Sequence, residues 1–226
     1  MISQIREPLS KIVQPMIIFF AKLGIHPTVF TSIGLLLSIT AGVFIALDNF
    51  LTAFIILWFA GAMDFIDGGV ARYNKLESKK GSFIDSIADR VSDLAVFGGV
   101  IFRSFRVDDI ITVAIGIIMV ASTLLISYIR AKGESIGIKK MTVGIMERGE
   151  RIMLLMILMF VGILVPNFGF TRPPPGGIME AWGLSYFSIG YMVLTALCVI
   201  TVIQRFIHVS IQLTKAETTK EVQIPK

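Results

Sequence analysis

Long apolar runs alternate with short polar segments along the chain. Six of these runs have roughly the 20 residues that a helix needs to cross a bilayer. They cover residues 28–47, 51–72, 82–103, 110–130, 151–168 and 185–208. This pattern predicts an all-α integral membrane protein with six transmembrane helices.

The segment before the first run has a different pattern. Apolar residues between Ile5 and Phe20 recur at the spacing of one helix face, with charged residues such as Arg6 and Lys11 opposite them. We expect a helix that lies on the membrane surface, the alternative being a plain cytoplasmic extension. The predicted organisation is an amphipathic helix over residues 1–24, a six-helix membrane domain over 25–212 and a flexible cytoplasmic tail over 213–226.

Composition and charge add an orientation. The chain has 226 residues, is 54% hydrophobic and carries a net charge of +5. Lys and Arg concentrate in the N-terminal segment, in the connections at 73–81 and 131–147, and in the tail. The positive-inside rule therefore places these segments and both termini in the cytoplasm, as in a multi-pass protein of the cell membrane. Topology and anionic lipid explain the basic charge, and no nucleic-acid-binding signature is present.

Four aspartates interrupt the second and third runs, within DFIDGGVARYNKLESKKGSFIDSIAD. In a hairpin centred near residue 76, Asp67 lies level with Asp85 and Asp64 lies level with Asp89. Each carboxylate alone would cost about 2.5–3.5 kcal/mol at the centre of a membrane helix. A hard divalent cation removes that penalty, and four carboxylates are enough for two Mg²⁺ or Mn²⁺ ions. The alternative is that the acids pair with Arg72 and Arg90 inside a helix bundle.

The residues between the aspartates suit a phosphate ligand. The four carboxylates are expected to converge in a pocket that opens to the cytoplasm. Gly68 and Gly81 leave room beside the acids, and Arg72 lies at the mouth of this pocket, where it can bind a phosphate. The spacing D-x2-D-G-x2-A-R-x8-G-x3-D-x3-D resembles the signature of the CDP-alcohol phosphotransferase family. Its eight positions are Asp64, Asp67, Gly68, Ala71, Arg72, Gly81, Asp85 and Asp89.

The resemblance implies an enzyme of phospholipid biosynthesis and a homodimer. An alcohol hydroxyl would attack the lipid-linked phosphorus of a CDP-lipid, and CMP would leave. The four aspartates would hold two metal ions, and Asp89 would also be the general base. The residues implied to contact the CDP-lipid are Thr28, Val29, Phe30, Thr31, Gly68, Ala71, Arg72, Ser78 and Gly81.

A second basic cluster bears on the acceptor. The stretches SYIRAKGESIG, GIMERGER and VIQRFIH place Arg130, Arg148, Arg151 and Arg205 on the cytoplasmic side. Several cations suit a phosphorylated acceptor better than a neutral one. The set resembles the phosphatidylinositol-phosphate synthase branch, which uses inositol 1-phosphate and whose archaeal members act on CDP-archaeol. That resemblance implies acceptor-phosphate contacts from Ser127, Arg130, Arg151 and Arg205.

Two departures and several alternatives remain. The branch often has Lys where Arg130 stands and Pro where Gly149 stands, which leaves glycerol 3-phosphate open as the acceptor, followed by serine or free inositol. CDP-diacylglycerol and CDP-archaeol are both open as donors. A cation transporter is the competing class, but transporters usually have repeated halves or broken helices, whereas these acids lie in one hairpin.

Overall fold

The computed structural model describes residues 14–138, 141, 143–165 and 185–222, and every regular element in these ranges is an α-helix. The all-α prediction is therefore confirmed. In chain order the helices are α1 (residues 14–22), α2 (Pro27–Ala46), α3 (Phe50–Tyr73), α4 (Lys79–Arg106), α5 (Ile110–Ser135), α6 (Arg148–Leu164) and α7 (Tyr186–Val222).

Four of the described helices are long and apolar enough to cross a membrane, as in a multi-pass membrane protein. They are α2, α3, α5 and the Tyr186–Lys215 part of α7. The sequence predicts six spans. α4 falls short because its acids and bases lower its hydropathy, and α6 has only 17 residues within the described range.

The predicted ends of the chain fall partly outside the described residues. Of the predicted surface helix, only α1 lies within them. At the other end, α7 remains helical to Val222, well beyond residue 213, where the sequence predicts a tail.

The helices form two compact units, Met1–Gly99 and Val100–Lys226, with the boundary inside α4. In the first unit α2 packs along α3. It also meets α4 backbone to backbone, because a Cβ on Gly42 would overlap the Ala95 carbonyl and one on Gly99 would overlap the Gly42 carbonyl. In the second unit α7 packs against α5 and α6.

One type of tight turn joins both α2 to α3 and α4 to α5. Asp48 and Asp108 take left-handed φ values of 61° and 57°, which short polar side chains tolerate better than most. The next residue caps the following helix: Asn49 Oδ1 accepts from the Thr52 N–H at 3.2 Å, and Asp109 Oδ1 accepts from Thr112 at 2.9 Å. These turns reverse the chain between long helices without an extended loop.

The Gly42–Gly99 contact yields a stability prediction with a control one residue away. Gly99→Ala should lower the free energy of unfolding by about 1–3 kcal/mol, because its methyl group can fit only if α2 and α4 separate. Gly98→Ala meets nothing within 4 Å, so it should be neutral or should stabilise by about 0.5–1 kcal/mol through helix propensity. Thermal unfolding in detergent measures both, and equal midpoints for the two variants would contradict the contact.

Candidate functional site

The hairpin of α3 and α4 positions the aspartates. α3 ends at Tyr73 and α4 begins at Lys79, so the connection is centred on residue 76, as the sequence predicts. The Ser78 hydroxyl oxygen accepts the Gly81 N–H at 3.0 Å and thereby satisfies one of the free donors in the first turn of α4. Ser78 and Gly81, which the resemblance assigns to the CDP-lipid, thus also shape the start of this helix.

Three of the four aspartates converge. Each of Asp64, Asp67 and Asp85 has a carboxylate oxygen within 4.8 Å of the oxygens of the other two. Asp67 is buried, Asp85 is half-buried and Asp64 is exposed. The charges of Asp64 and Asp85 both act on Asp67, so the three repel one another unless a cation lies among them. An all-oxygen set of this kind fits Mg²⁺ or Mn²⁺.

The fourth aspartate does not belong to this close group. Asp89 lies one helical turn after Asp85 on α4 and is half-buried, but its oxygens are not within the 4.8 Å shared by the other three. Asp93, another turn along, is 4% exposed. The structure thus brings together three of the four predicted ligands, and the two predicted roles of Asp89 remain proposals.

Thr31 holds Asp67 in place, which sequence reasoning missed. Its hydroxyl donates to Asp67 Oδ2 at 2.8 Å, from α2 to α3. A hydrogen bond to one carboxylate oxygen fixes the orientation of the other, as outer-shell partners of metal ligands commonly do. The available signal was a hydroxyl residue in a largely apolar helix, but this helix contains four others, and the sequence does not say which of them faces an acid.

The residues predicted to contact the CDP-lipid divide by exposure. Phe30 is buried in a core cluster with Ile66 and Val70, while Val29 is exposed and Thr28 is half-buried. The side chain of Phe30 therefore belongs to the core and not to an exposed ligand-binding surface.

Arg72 and Gly68 lie close together near the end of α3. A Cβ on Gly68 would lie 3.5 Å from Arg72 Nη1, so the guanidinium folds back over the glycine. Arg72 is exposed, and Ala71 beside it is half-buried. An exposed guanidinium one turn beyond the Asp67 carboxylate is well suited to bind a phosphate.

α1 packs on the same end of α3. Ile17 covers Gly69, where a Cβ would overlap its side chain, and the Asn74 amide donates to the Ala21 carbonyl at 3.1 Å. Nothing in the sequence pattern predicts this contact. It secures the end of α3 that carries the aspartates.

The second unit contains the predicted arginine cluster. The charges of Arg130, Arg151, Glu134 and Glu147 all act on Arg205. Arg151 and Arg205 are buried, at 2% and 4% exposure, whereas Arg130 is exposed and forms an ion pair with Glu134 at 3.0 Å. Arg130 and Arg151 are thus both within electrostatic reach of Arg205.

The other two predicted acceptor contacts lie one helical turn from these arginines. Arg148 is half-buried at the start of α6, three residues before Arg151, and Ser127 is half-buried on α5, three residues before Arg130. A spacing of three residues places both members of each pair on one helix face.

The element ERGER separates into two functions. Glu147 and Glu150 form a reciprocal capping box at the start of α6, with the Glu147 N–H donating to Glu150 Oε2 at 2.9 Å. Arg148 and Arg151 occupy the same first turns of the helix. The acids thus satisfy the backbone of this helix end, and the bases supply its positive charge.

Arg205 is bonded to backbone carbonyls. Its Nε donates to the Val143 oxygen and its Nη1 to the Ile126 oxygen, both at 2.9 Å. A guanidinium has five N–H donors in one plane, so these two bonds fix the orientation of that plane. Arg205 therefore joins α7 to α5 and to the loop before α6.

Comparison with known proteins gives a consistent result. The family described as CDP-alcohol phosphatidyltransferase matches residues 24–203. An archaetidylinositol phosphate synthase of Methanothermobacter thermautotrophicus is 30% identical over 92% of this chain and 94% of its own length. A phosphatidylinositol phosphate synthase of Mycobacterium marinum is 29% identical over 81% of this chain and 77% of its own length.

Solved structures of a related protein share the fold. The phosphatidylinositol phosphate synthase of Mycobacterium tuberculosis with CDP-DAG bound matches with a TM-score of 0.72 and 27% identity, over 88% of this chain and 94% of its own. The same synthase in complex with manganese and citrate matches with a TM-score of 0.67 and 26% identity, over 86% of this chain and 87% of its own.

The bond from Thr31 to Asp67 predicts a change in metal affinity. Thr31→Val keeps the shape of the side chain but removes the donor, so the Kd for Mn²⁺ should rise at least about tenfold. Free Mn²⁺ measured by electron paramagnetic resonance, without nucleotide, gives that Kd.

Two further variants test the cause of this change. Thr31→Ser should restore the affinity because it restores the hydroxyl. Ser32→Ala is the matched control, since the Ser32 hydroxyl bonds the Thr28 carbonyl of its own helix at 2.9 Å. Unchanged Mn²⁺ affinity in Thr31→Val would exclude a role for this bond in metal binding.

Proposed function

Because the chain belongs to the CDP-alcohol phosphotransferase family, we propose that it transfers the lipid phosphate of a CDP-lipid to a hydroxyl of inositol 1-phosphate and releases CMP. The new bond joins the acceptor oxygen to the lipid phosphorus, and the bond from that phosphorus to CMP breaks. The observation that best supports a phosphorylated acceptor is the group of three arginines in which the charges of Arg130 and Arg151 both act on the buried Arg205.

Metal ions fit the donor side. Asp64, Asp67, Asp85 and Asp89 would hold two divalent cations, Mg²⁺ or Mn²⁺. Such ions neutralise phosphate oxygens and orient the leaving group. The convergence of three of these carboxylates supports this assignment, and the manganese complex of the mycobacterial relative is consistent with it.

The other residues of the first unit would bind the donor and handle the proton. The exposed Arg72 would bind a phosphate of the CDP group, with the segment from Thr28 to Thr31 lining the nucleotide site. Asp89 would accept the proton of the attacking hydroxyl, which makes the oxygen a better nucleophile. The relative solved with CDP-DAG supports a CDP-lipid donor; CDP-archaeol and CDP-diacylglycerol are the two candidates.

The arginines of the second unit would bind the acceptor phosphate. Arg148 and Arg151 lie in the first turns of α6, where the helix dipole adds to their positive charge. Ser127, Arg130 and Arg205 would complete the site, and a dianionic phosphate would offset the repulsion among the cations. Serine or free inositol has no phosphate to do so.

The membrane arrangement is part of the proposal. Six transmembrane helices would follow an amphipathic surface helix, with both termini and the active site on the cytoplasmic side of the cell membrane. The distribution of Lys and Arg supports this orientation. A homodimer would be the functional unit, as the family resemblance implies.

CMP release by the purified protein tests the function. The assay contains Mg²⁺, one CDP-lipid and, separately, inositol 1-phosphate, glycerol 3-phosphate, serine or inositol. Of the four acceptors, we expect only inositol 1-phosphate to support CMP release. This release should be lost when a chelator removes the metal.

Other results would point elsewhere. Release with glycerol 3-phosphate would keep the donor chemistry and replace the acceptor. If folded protein released no CMP with any acceptor, a cation flux assay in vesicles would test the transporter alternative.

The base assigned to the reaction can be removed by a single change. Asp89→Asn should lower the rate of CMP release by at least about 100-fold, because general base catalysis contributes roughly 10²–10⁴, while binding of the CDP-lipid is largely retained. Glu77→Gln is the matched acid-to-amide control in the exposed connection between α3 and α4 and should keep full activity. Full turnover in Asp89→Asn would rule it out as the base.

A further inference from the structure

One face of α7 is bonded to the loop before α6. Thr201, Gln204 and Arg205 follow one another at helical spacing, and each bonds the backbone of residues 143–146. The Met146 N–H donates to Thr201 Oγ1 at 3.1 Å, and the Ile145 N–H donates to Gln204 Oε1 at 3.2 Å. With the bond from Arg205 Nε to the Val143 carbonyl at 2.9 Å, three side chains hold this short loop.

The Thr201 hydroxyl is oriented for this contact. It donates its own proton to the Leu197 carbonyl of α7 at 2.9 Å, as a helical threonine commonly does. Its lone pairs therefore face away from the helix and can accept the Met146 N–H. A glutamine carbonyl is likewise an acceptor, so both side chains satisfy loop amides that no helix satisfies.

The loop also fits closely against this face. A Cβ on Gly144, whose φ is +130°, would lie only 2.6 Å from Thr201 Cγ2. Met146 is buried, at 2% exposure. Loop and helix face are thus matched in shape as well as in hydrogen bonds.

The loop leads directly into the arginines of α6. Met146 is followed by Glu147, the N-cap residue of α6, and then by Arg148 at the first helical position and Arg151 one turn later. Because this loop runs directly into α6, the position in which Thr201 and Gln204 hold residues 145 and 146 determines the position of the start of α6 and of its arginines. Arg205 is held in the same network by its bonds to Val143 and Ile126.

We propose that Thr201 and Gln204 are positioning residues for the acceptor site: they touch no substrate but hold the 143–146 loop so that Arg148 and Arg151 face the acceptor phosphate. The inference rests on the proposed function. It assigns a role to the glutamine of the VIQRF stretch, which the arginine argument leaves unexplained.

Amide hydrogen exchange tests the contacts without reference to activity. Thr201→Val and Gln204→Met keep side-chain size but remove the acceptor, so each should speed exchange in the peptide that spans Ile145 and Met146. Thr201→Ser should restore protection. Ser210→Ala is the control on the same helix, because its hydroxyl bonds only the Phe206 carbonyl of α7 among the bonds seen here.

Kinetics test the positioning role. In the CMP-release assay, Thr201→Val and Gln204→Met should each raise the KM for inositol 1-phosphate about threefold to tenfold, the loss expected for one hydrogen bond. The KM for the CDP-lipid should stay unchanged, and an unchanged value would also show that the variants are folded. Gly144→Ala should give the same pattern by displacing the loop, whereas Gly149→Ala, whose Cβ would meet nothing within 4 Å, should not.

The outcomes separate the two hypotheses. If the wild-type protein turns over and the variants leave the acceptor KM unchanged, the positioning role is wrong while the proposed function stands. Equal rises in the KM of donor and acceptor would mean general damage and would also overturn it. If no phosphorylated acceptor causes the wild-type protein to release CMP, the proposed function and this inference fail together.

Discussion

A carboxylate on a membrane-spanning helix needs hydrogen bonds or a cation, and the first unit is arranged around this need. Asp67 lies on α3, a helix apolar enough to span the membrane, and it is only 8% exposed. The Thr31 hydroxyl donates to one of the Asp67 oxygens. The hairpin with α4 brings Asp85 close to both Asp67 and Asp64. Side chains as short as Thr and Asp meet only where their helices pack closely, and α2 also packs backbone to backbone on α4 at Gly42.

The second unit meets the opposite requirement, because it buries cations. Arg205 lies within the apolar part of α7, and carbonyls of α5 and of the loop before α6 bind its guanidinium. Carbonyl oxygens stabilise the charge without neutralising it. A carboxylate partner would cancel the charge, whereas carbonyl oxygens leave the guanidinium positively charged, as the proposed binding of an acceptor phosphate requires.

Periodicity and charge predict much of this structure from the sequence. They give the all-α class, the hairpin centred on residue 76 and six membrane spans, of which four described helices are long and apolar enough to cross a membrane. Of the four aspartates predicted to converge, Asp64, Asp67 and Asp85 do so. Periodicity and charge do not predict which polar groups meet between helices, because a 3.6-residue period assigns a residue to a face but not to a partner. Three contacts could not be predicted for this reason: the bond from Thr31 to Asp67, the cap formed by Ser78 and the contact of Asn74 with α1. Nor does the sequence assign the acids of ERGER, because a carboxylate in that position can cap a helix or pair with a base; in the structure they cap α6.

The two units also differ in what their sequences can say about specificity. The aspartate signature belongs to the whole family, so it indicates the transfer reaction and the CDP-linked donor but not the acceptor. Discrimination between acceptors has to come from groups that contact the part of the acceptor that varies, and the arginines of α5, α6 and α7 are the candidates. Arginines near one another can bind almost any phosphate, and what makes such a group selective is the geometry in which it is held. Here that geometry depends on backbone bonds made by Thr201, Gln204 and Arg205. Counting arginines along the chain is therefore a weaker guide to the acceptor than the shape of the loop that joins them.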